Sequence, residues 1–163
     1  MLFRSVTLLV GQIGLNLIEA GKLYALMQGT GVVARIGWGW VSDRFMDARA
    51  LLALLGVGSI GATMALAMAD STWSTGALVL VSMAVGATIV SWNGIYLAEI
   101  PRQVPQEQVS AATSGTVMFS FAGIVVGPAT FSLVASTTGS YVPAFALFNV
   151  LVAMSVVYLW RSR

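Results

Sequence analysis

Of the 163 residues only 9% are charged, against about 25% in an average soluble domain. With 58% hydrophobic residues and a mean hydropathy of +0.88, the chain cannot assemble a water-soluble surface. Cys and His are both absent, which removes thiolate and imidazole metal ligands, haem ligation through His, and any Ser-His or Cys-His nucleophilic pair. No metal, cofactor or catalytic residue is therefore expected. The net charge of +2 comes from 8 basic against 6 acidic residues. The basic residues form no cluster or stripe and sit mainly at predicted span ends, so the expected partner is a lipid bilayer and not nucleic acid.

In chain order, residues 1–5 read MLFRS. They resemble the translation of a sequencing-adapter sequence and are read as a non-native start. Residues 6–18 precede Glu19 and are too short to cross about 30 Å of hydrocarbon, which takes roughly 20 apolar residues. They are read as the remnant of a longer helix. A signal peptide with Arg4 as its charged region is the competing reading, and no convincing small-residue cleavage site follows it.

A first full span is predicted over residues 20–41, interrupted by Lys22 near its beginning and Arg35 near its end. No Asp, Glu, Lys or Arg occurs between Ala50 and Ala69, between Ser71 and Ala98, or between Gln108 and Trp160. The first two stretches give spans at 50–69 and 76–98. The third is long enough for two spans and must turn, and Thr137, Thr138, Gly139, Ser140 and Pro143 supply the break, giving 109–134 and 141–160. The fold class expected is an all-α membrane protein of five transmembrane helices plus an N-terminal stub.

Adjacent loops alternate between the two sides of a membrane. Arg44, Arg49, Arg102, Arg161 and Arg163 fall on one side and Lys22 on the other. This bias places the C-terminus in the cytoplasm. Trp73, Tyr141, Tyr158 and Trp160 lie near span ends, where amphipathic rings favour the interface.

At the end of the first span the chain reads Gly37-Trp38-Gly39-Trp40-Val41-Ser42-Asp43-Arg44-Phe45, then Asp47 and Arg49. The spacing Gly39-x-x-x-Asp43-Arg44 at a helix-to-helix turn resembles the signature of the major facilitator superfamily in its weaker second copy, between the eighth and ninth helices. Met46-Asp47-Ala48-Arg49 replaces the usual basic continuation. The resemblance covers essentially residues 6–163 and implies the C-terminal half of a transporter: helices eight to twelve preceded by part of helix seven, truncated at the N-terminus, with the missing N-terminal half as partner.

It also implies a polar latch at the cytoplasmic face, for which Arg35, Gly39, Asp43, Arg44, Glu99 and Arg102 are the candidates. Asp43 could accept hydrogen bonds from a helix N-terminus, and the helix opening at Pro105-Gln106-Glu107 is the expected recipient. The bland alternative is a set of solvated loop charges that fix topology.

Gly123-Ile124-Val125-Val126-Gly127-Pro128 resembles the family's antiporter motif at the pseudo-symmetric position. Gly123, Gly127 and Pro128 are read first as a packing and bending site. By family position the helix around residues 51–68 should face lipid, and its only hydroxyls, Ser59 and Thr63, agree with that. Gln28, Trp92 and Asn93 are the candidate substrate-cavity residues, with helix-to-helix hydrogen bonding as their alternative role. Asn149, mid-span in the last helix, fits neither scheme. No carboxylate lies deep in a complete span, so an ionisable relay of the kind proton-driven transporters carry is expected elsewhere, or coupling is by exchange.

The function implied is secondary active transport of a small solute by alternating access, in a bacterial inner membrane. The alternative is a small non-transporting membrane subunit or assembly scaffold. A membrane enzyme would need a catalytic pair that the sequence does not offer.

Overall fold

The computed structural model describes residues 16–70 and 72–161. The predicted non-native start and most of the predicted stub lie outside them. The described residues form α1 (Leu17–Arg44), α2 (Ala48–Ala67), α3 (Thr75–Val85), a π-helical turn (Gly86–Val90), α4 (Trp92–Gln103), a 3-10 turn (Gln106–Gln108), α5 (Val109–Thr138) and α6 (Tyr141–Arg161). α3, the π turn and α4 make one continuous span of 29 residues. The five rods are thus α1, α2, α3–α4, α5 and α6, and the all-α class holds among the described residues.

The ends of the helices follow from local chemistry. Leu17 and Ile18 open α1 instead of closing the stub, because the Asn16 side chain accepts from the Ile18 amide at 3.2 Å and Glu19 sits in the first turn, where a carboxylate favours the positive end of the dipole. The third span runs on to Gln103, past the expected end at residue 98: Arg102 suits the negative end of a helix, and Pro101 within it costs only its own bond to the Leu97 carbonyl. α5 extends to Thr138, where Thr137 and Thr138 hydroxyls return to the carbonyls of Leu133 and Val134 at 2.9 and 2.7 Å. Gly139, at φ +67°, then stops it in the left-handed conformation that glycine tolerates.

Between α2 and α3 the chain turns at Asp70. Its carboxylate accepts from both the amide and the hydroxyl of Thr72, and these two bonds, side chain first, hold its pKa below the ordinary value of 3.8. A depressed carboxyl contributes stability above its unfolded pKa and loses that contribution as pH falls through the folded value. Melting of the chain and of Asp70→Asn should therefore differ at neutral pH and converge as pH falls below 3.8.

Packing is centred on α2. In its most apolar window 44% of the residues are buried, against 6% for α5 and 11% for α6. One face of α2 stays open, with Leu54 and Val57 exposed, as a lipid-facing side would be, and the other side is packed. α2 lies against α3, α4 and α6, and small residues make that possible: a Cβ on Gly56 would stand 2.4 Å from Val156 Cγ2. One apolar cluster gathers Met27, Leu66, Leu78, Val85, Phe131 and Phe145, with the Phe131 ring edge-on to Phe145 at 5.1 Å. The second cluster, of Ala48, Leu51, Leu55 and Ile95, lies toward the end that carries Arg44 and Arg102.

Candidate functional site

The turn from α1 to α2 is closed by the amides of Phe45 and Met46, which donate to the Val41 carbonyl at 2.9 and 3.2 Å. It presents Asp43 beside the last turn of α4. Arg102 bridges two carboxylates there, Asp43 at 3.2 Å and Glu99 at 3.5 Å, and Gln103 donates to Glu99 at 3.2 Å. Asp43 thus meets a guanidinium and not the amides that open α5.

The structure brings Asp43, Glu99 and Arg102 together. Arg44 is exposed in the last turn of α1, Gly39 has open space where a Cβ would stand, and Arg35 is engaged elsewhere. With Arg102 58% and Asp43 68% exposed, the pair is solvated, and pairs of that kind contribute about 0–1 kcal/mol. Arg102→Ala should lower the unfolding free energy of this chain by less than about 1 kcal/mol in detergent titrations.

The denser polar construction lies two turns deeper, where α1 crosses the π turn. A π turn shifts backbone pairing from i+4 to i+5, and here side chains reach two of its carbonyls. Three side chains take them up. Trp38 Nε1 donates to Ala87 O at 2.9 Å, Ser91 Oγ donates to the same oxygen, and Arg35 Nη2 donates to Val90 O at 3.0 Å.

Glycines allow this approach. A Cβ on Gly31 would meet Val90 Cβ at 2.4 Å, one on Gly86 would meet Met27 O at 2.2 Å, and one on Gly94 would meet Arg35 Cγ at 2.7 Å. Of these residues the sequence alone points only to Arg35. The signal for the rest is present as glycines on two spans, but which glycine faces which helix is a three-dimensional fact.

Trp92 and Asn93 directly follow this turn. Trp92 tilts against Tyr96, with centroids 5.7 Å apart, and lines a groove between α2, α4 and α6 of about 660 Å³. Asn93 is exposed and is not part of that lining. Gln28 lies on α1, and its Oε1 is buried without a hydrogen-bond partner among the described residues. No hydrogen bond or ring contact joins Gln28 to Trp92 or Asn93 among the described residues.

Asn149 finds its account in the same groove, where Thr63 Oγ1 stands 2.9 Å from Asn149 Oδ1 and 2.7 Å from Ser59 O. One hydroxyl proton cannot serve both acceptors. With the Asn149 amide turned over, its NH₂ donates to Thr63 and the hydroxyl donates to Ser59 O, so the otherwise unpartnered Nδ2 is satisfied. This is a helix-to-helix bond of the kind membrane bundles use. Gly123 and Gly127, by contrast, have nothing within 4 Å of the position a Cβ would take, and α5 continues unbroken through Pro128.

The family model of the Major Facilitator Superfamily matches residues 1–128. No curated protein and no solved structure matches the chain. The matched region contains the Gly39-x-x-x-Asp43-Arg44 turn, the clamp of α1 on the π turn and the Gly123-to-Pro128 segment, and four of the five rods are apolar and long enough to cross a bilayer. The chain is thus an integral membrane protein that belongs to the Major Facilitator Superfamily of membrane transporters.

Proposed function

We propose that this chain is the C-terminal half of a secondary active transporter, forming one wall of a midplane site for a small solute and rocking against an N-terminal half in alternating access. The observation that carries the proposal is the character of α1. At 28 residues it is about 42 Å long, ample to span, yet it is absent from the helices apolar enough to do so alone. Glu19, Lys22, Gln28, Arg35, Asp43 and Arg44 lie along it. A helix of that polarity is stable in a membrane where it faces protein or a wet cavity and not acyl chains. The sparse burial of α5 fits the same absent neighbour.

The charge bias favours a cytoplasmic C-terminus in a bacterial inner membrane. Green fluorescent protein fused after Arg163 should then fluoresce, and alkaline phosphatase fused there should be inactive; the reverse pattern would overturn the orientation. Transport itself is tested by joining the chain to its upstream reading frame and assaying solute uptake in proteoliposomes. Recovery of about six further spans with uptake that the chain alone lacks is the expected result. An upstream region without spans would sink the proposal.

A further inference from the structure

We propose that Arg35 is the charge-recognising residue of the transport site and that the solute it takes is a monocarboxylate. The inference rests on the transport proposal and narrows it. Arg35 lies inside a span, exposed on α1, and this chain gives it no counter-ion. All 6 acidic residues of the sequence lie in the described part. Among the described residues the ion pairs are those of Asp43 and Glu99, and both go to Arg102.

Nor is the guanidinium withdrawn to the membrane surface. Its Nη2 donates to Val90 O at 3.0 Å, and its Cγ and Cδ lie against Gly94. Val90 stands at the middle of the 29-residue span Thr75–Gln103, so the charge is anchored at the midplane depth where secondary transporters bind their solutes. An arginine there is stable facing a wet cavity or a bound anion, and not acyl chains. Gln28, Gly31, Arg35 and Gly39 follow one another at three or four residues and so share one face of α1, a strip of polar or absent side chains that suits such a cavity.

The charge selects the class of solute. Lys22 and Arg44, the other cations of α1, stand about 20 and 14 Å away along its axis. A single carboxylate therefore neutralises the site, where a dianion would leave a surplus charge desolvated. A guanidinium has five donors, so with one spent on Val90 O its fork still holds a carboxylate bidentately.

The test labels a thiol beside Arg35. The chain has no cysteine, so Val32→Cys, at an exposed position one turn before Arg35, supplies one. The protein is the chain joined to its upstream reading frame, with any upstream cysteine replaced by serine, in proteoliposomes. Two methanethiosulfonate reagents of similar size, a sulfonate and a trimethylammonium, are compared, each relative to its rate with a free thiol in solution. The anionic reagent should be favoured by about tenfold or more. That preference should vanish in Arg35→Gln and persist in Arg35→Lys. Sodium acetate should slow the anionic labelling more than sodium chloride of equal ionic strength, and acetamide should not slow it. Arg35→Lys, which lacks the fork, should lose the advantage of acetate over chloride.

Labelling by neither reagent would put this face of α1 against lipid or protein and overturn the proposal. No preference with Arg35 in place, or one unchanged by Arg35→Gln, would mean that the other half already neutralises the charge, and would overturn it as well. Equal slowing by acetate and chloride would leave a positive field without a carboxylate site and overturn it equally. The transport reading fails separately, on an upstream region without spans.

Discussion

Gly86→Ala should be the most destabilising glycine-to-alanine change among the described residues, costing about 3 kcal/mol or more. The added Cβ would stand 2.2 Å from the Met27 carbonyl oxygen, 2.9 Å from the carbonyl carbon and 3.0 Å from its Cα. All three are backbone atoms of α1, so no rotamer change relieves the overlap and the two helices must part. Overpacking of this kind costs typically 1–3 kcal/mol, and separation would also stretch the 2.9 Å bond from Trp38 to Ala87 and the 3.0 Å bond from Arg35 to Val90. Gly127→Ala is the control. Nothing lies within 4 Å of its Cβ position, and alanine is the better helix former by about 0.5–1 kcal/mol, so this variant should be neutral or slightly more stable. Denaturation in mixed micelles, followed by tryptophan fluorescence, separates the two. Equal effects at both glycines would refute the packing account.

That contrast shows what can be read from residues alone. Glycine at Gly123 and Gly127 has a recognisable spacing, yet among the described residues the glycines whose added Cβ would come closer than 3.0 Å to a neighbour are Gly31, Gly56, Gly86 and Gly94, which lack it. The spans are legible because hydrocarbon forces every backbone group into helical pairing, so an uncharged run of sufficient length has few alternatives. The π turn is not legible: Gly86–Val90 is as apolar as its flanks, and a shift from i+4 to i+5 pairing leaves no compositional mark.

The surroundings of α2 are hidden for a related reason. Acyl chains are as apolar as leucine, so a polar-poor helix reads the same whether lipid or protein surrounds it. Thr63 and Asn149 are each visible as intramembrane polar residues, but the bond between them joins positions 86 apart. Charge groups Arg35 with Asp43, and the structure instead gives its guanidinium a backbone carbonyl.

That reassignment can be measured. Arg35→Leu should cost about 1 kcal/mol, since its bond to Val90 O is exposed and a typical hydrogen bond contributes about 0.5–1.5 kcal/mol net, and amide hydrogen exchange over residues 86–94 should accelerate because the clamp on the π turn is gone. Arg35→Lys should recover part of the loss: its aliphatic stem can lie along Gly94 as Arg35 Cγ and Cδ do, and its ammonium can reach a single carbonyl, but it lacks the planar guanidinium fork. The decisive quantity is the coupling between Arg35→Leu and Asp43→Asn.

The two residues are eight positions apart on one helix, about 12 Å along its axis, and the partner that the structure gives Asp43 is Arg102, so their effects should add within about 0.5 kcal/mol. A larger coupling would return Arg35 to the charged cluster at the helix ends. Additivity, together with faster exchange confined to 86–94, would mean that Arg35 acts on Trp92 and Asn93 through the turn that precedes them. The polar end of the bundle and the middle of the span would then be two separate devices on the same helix.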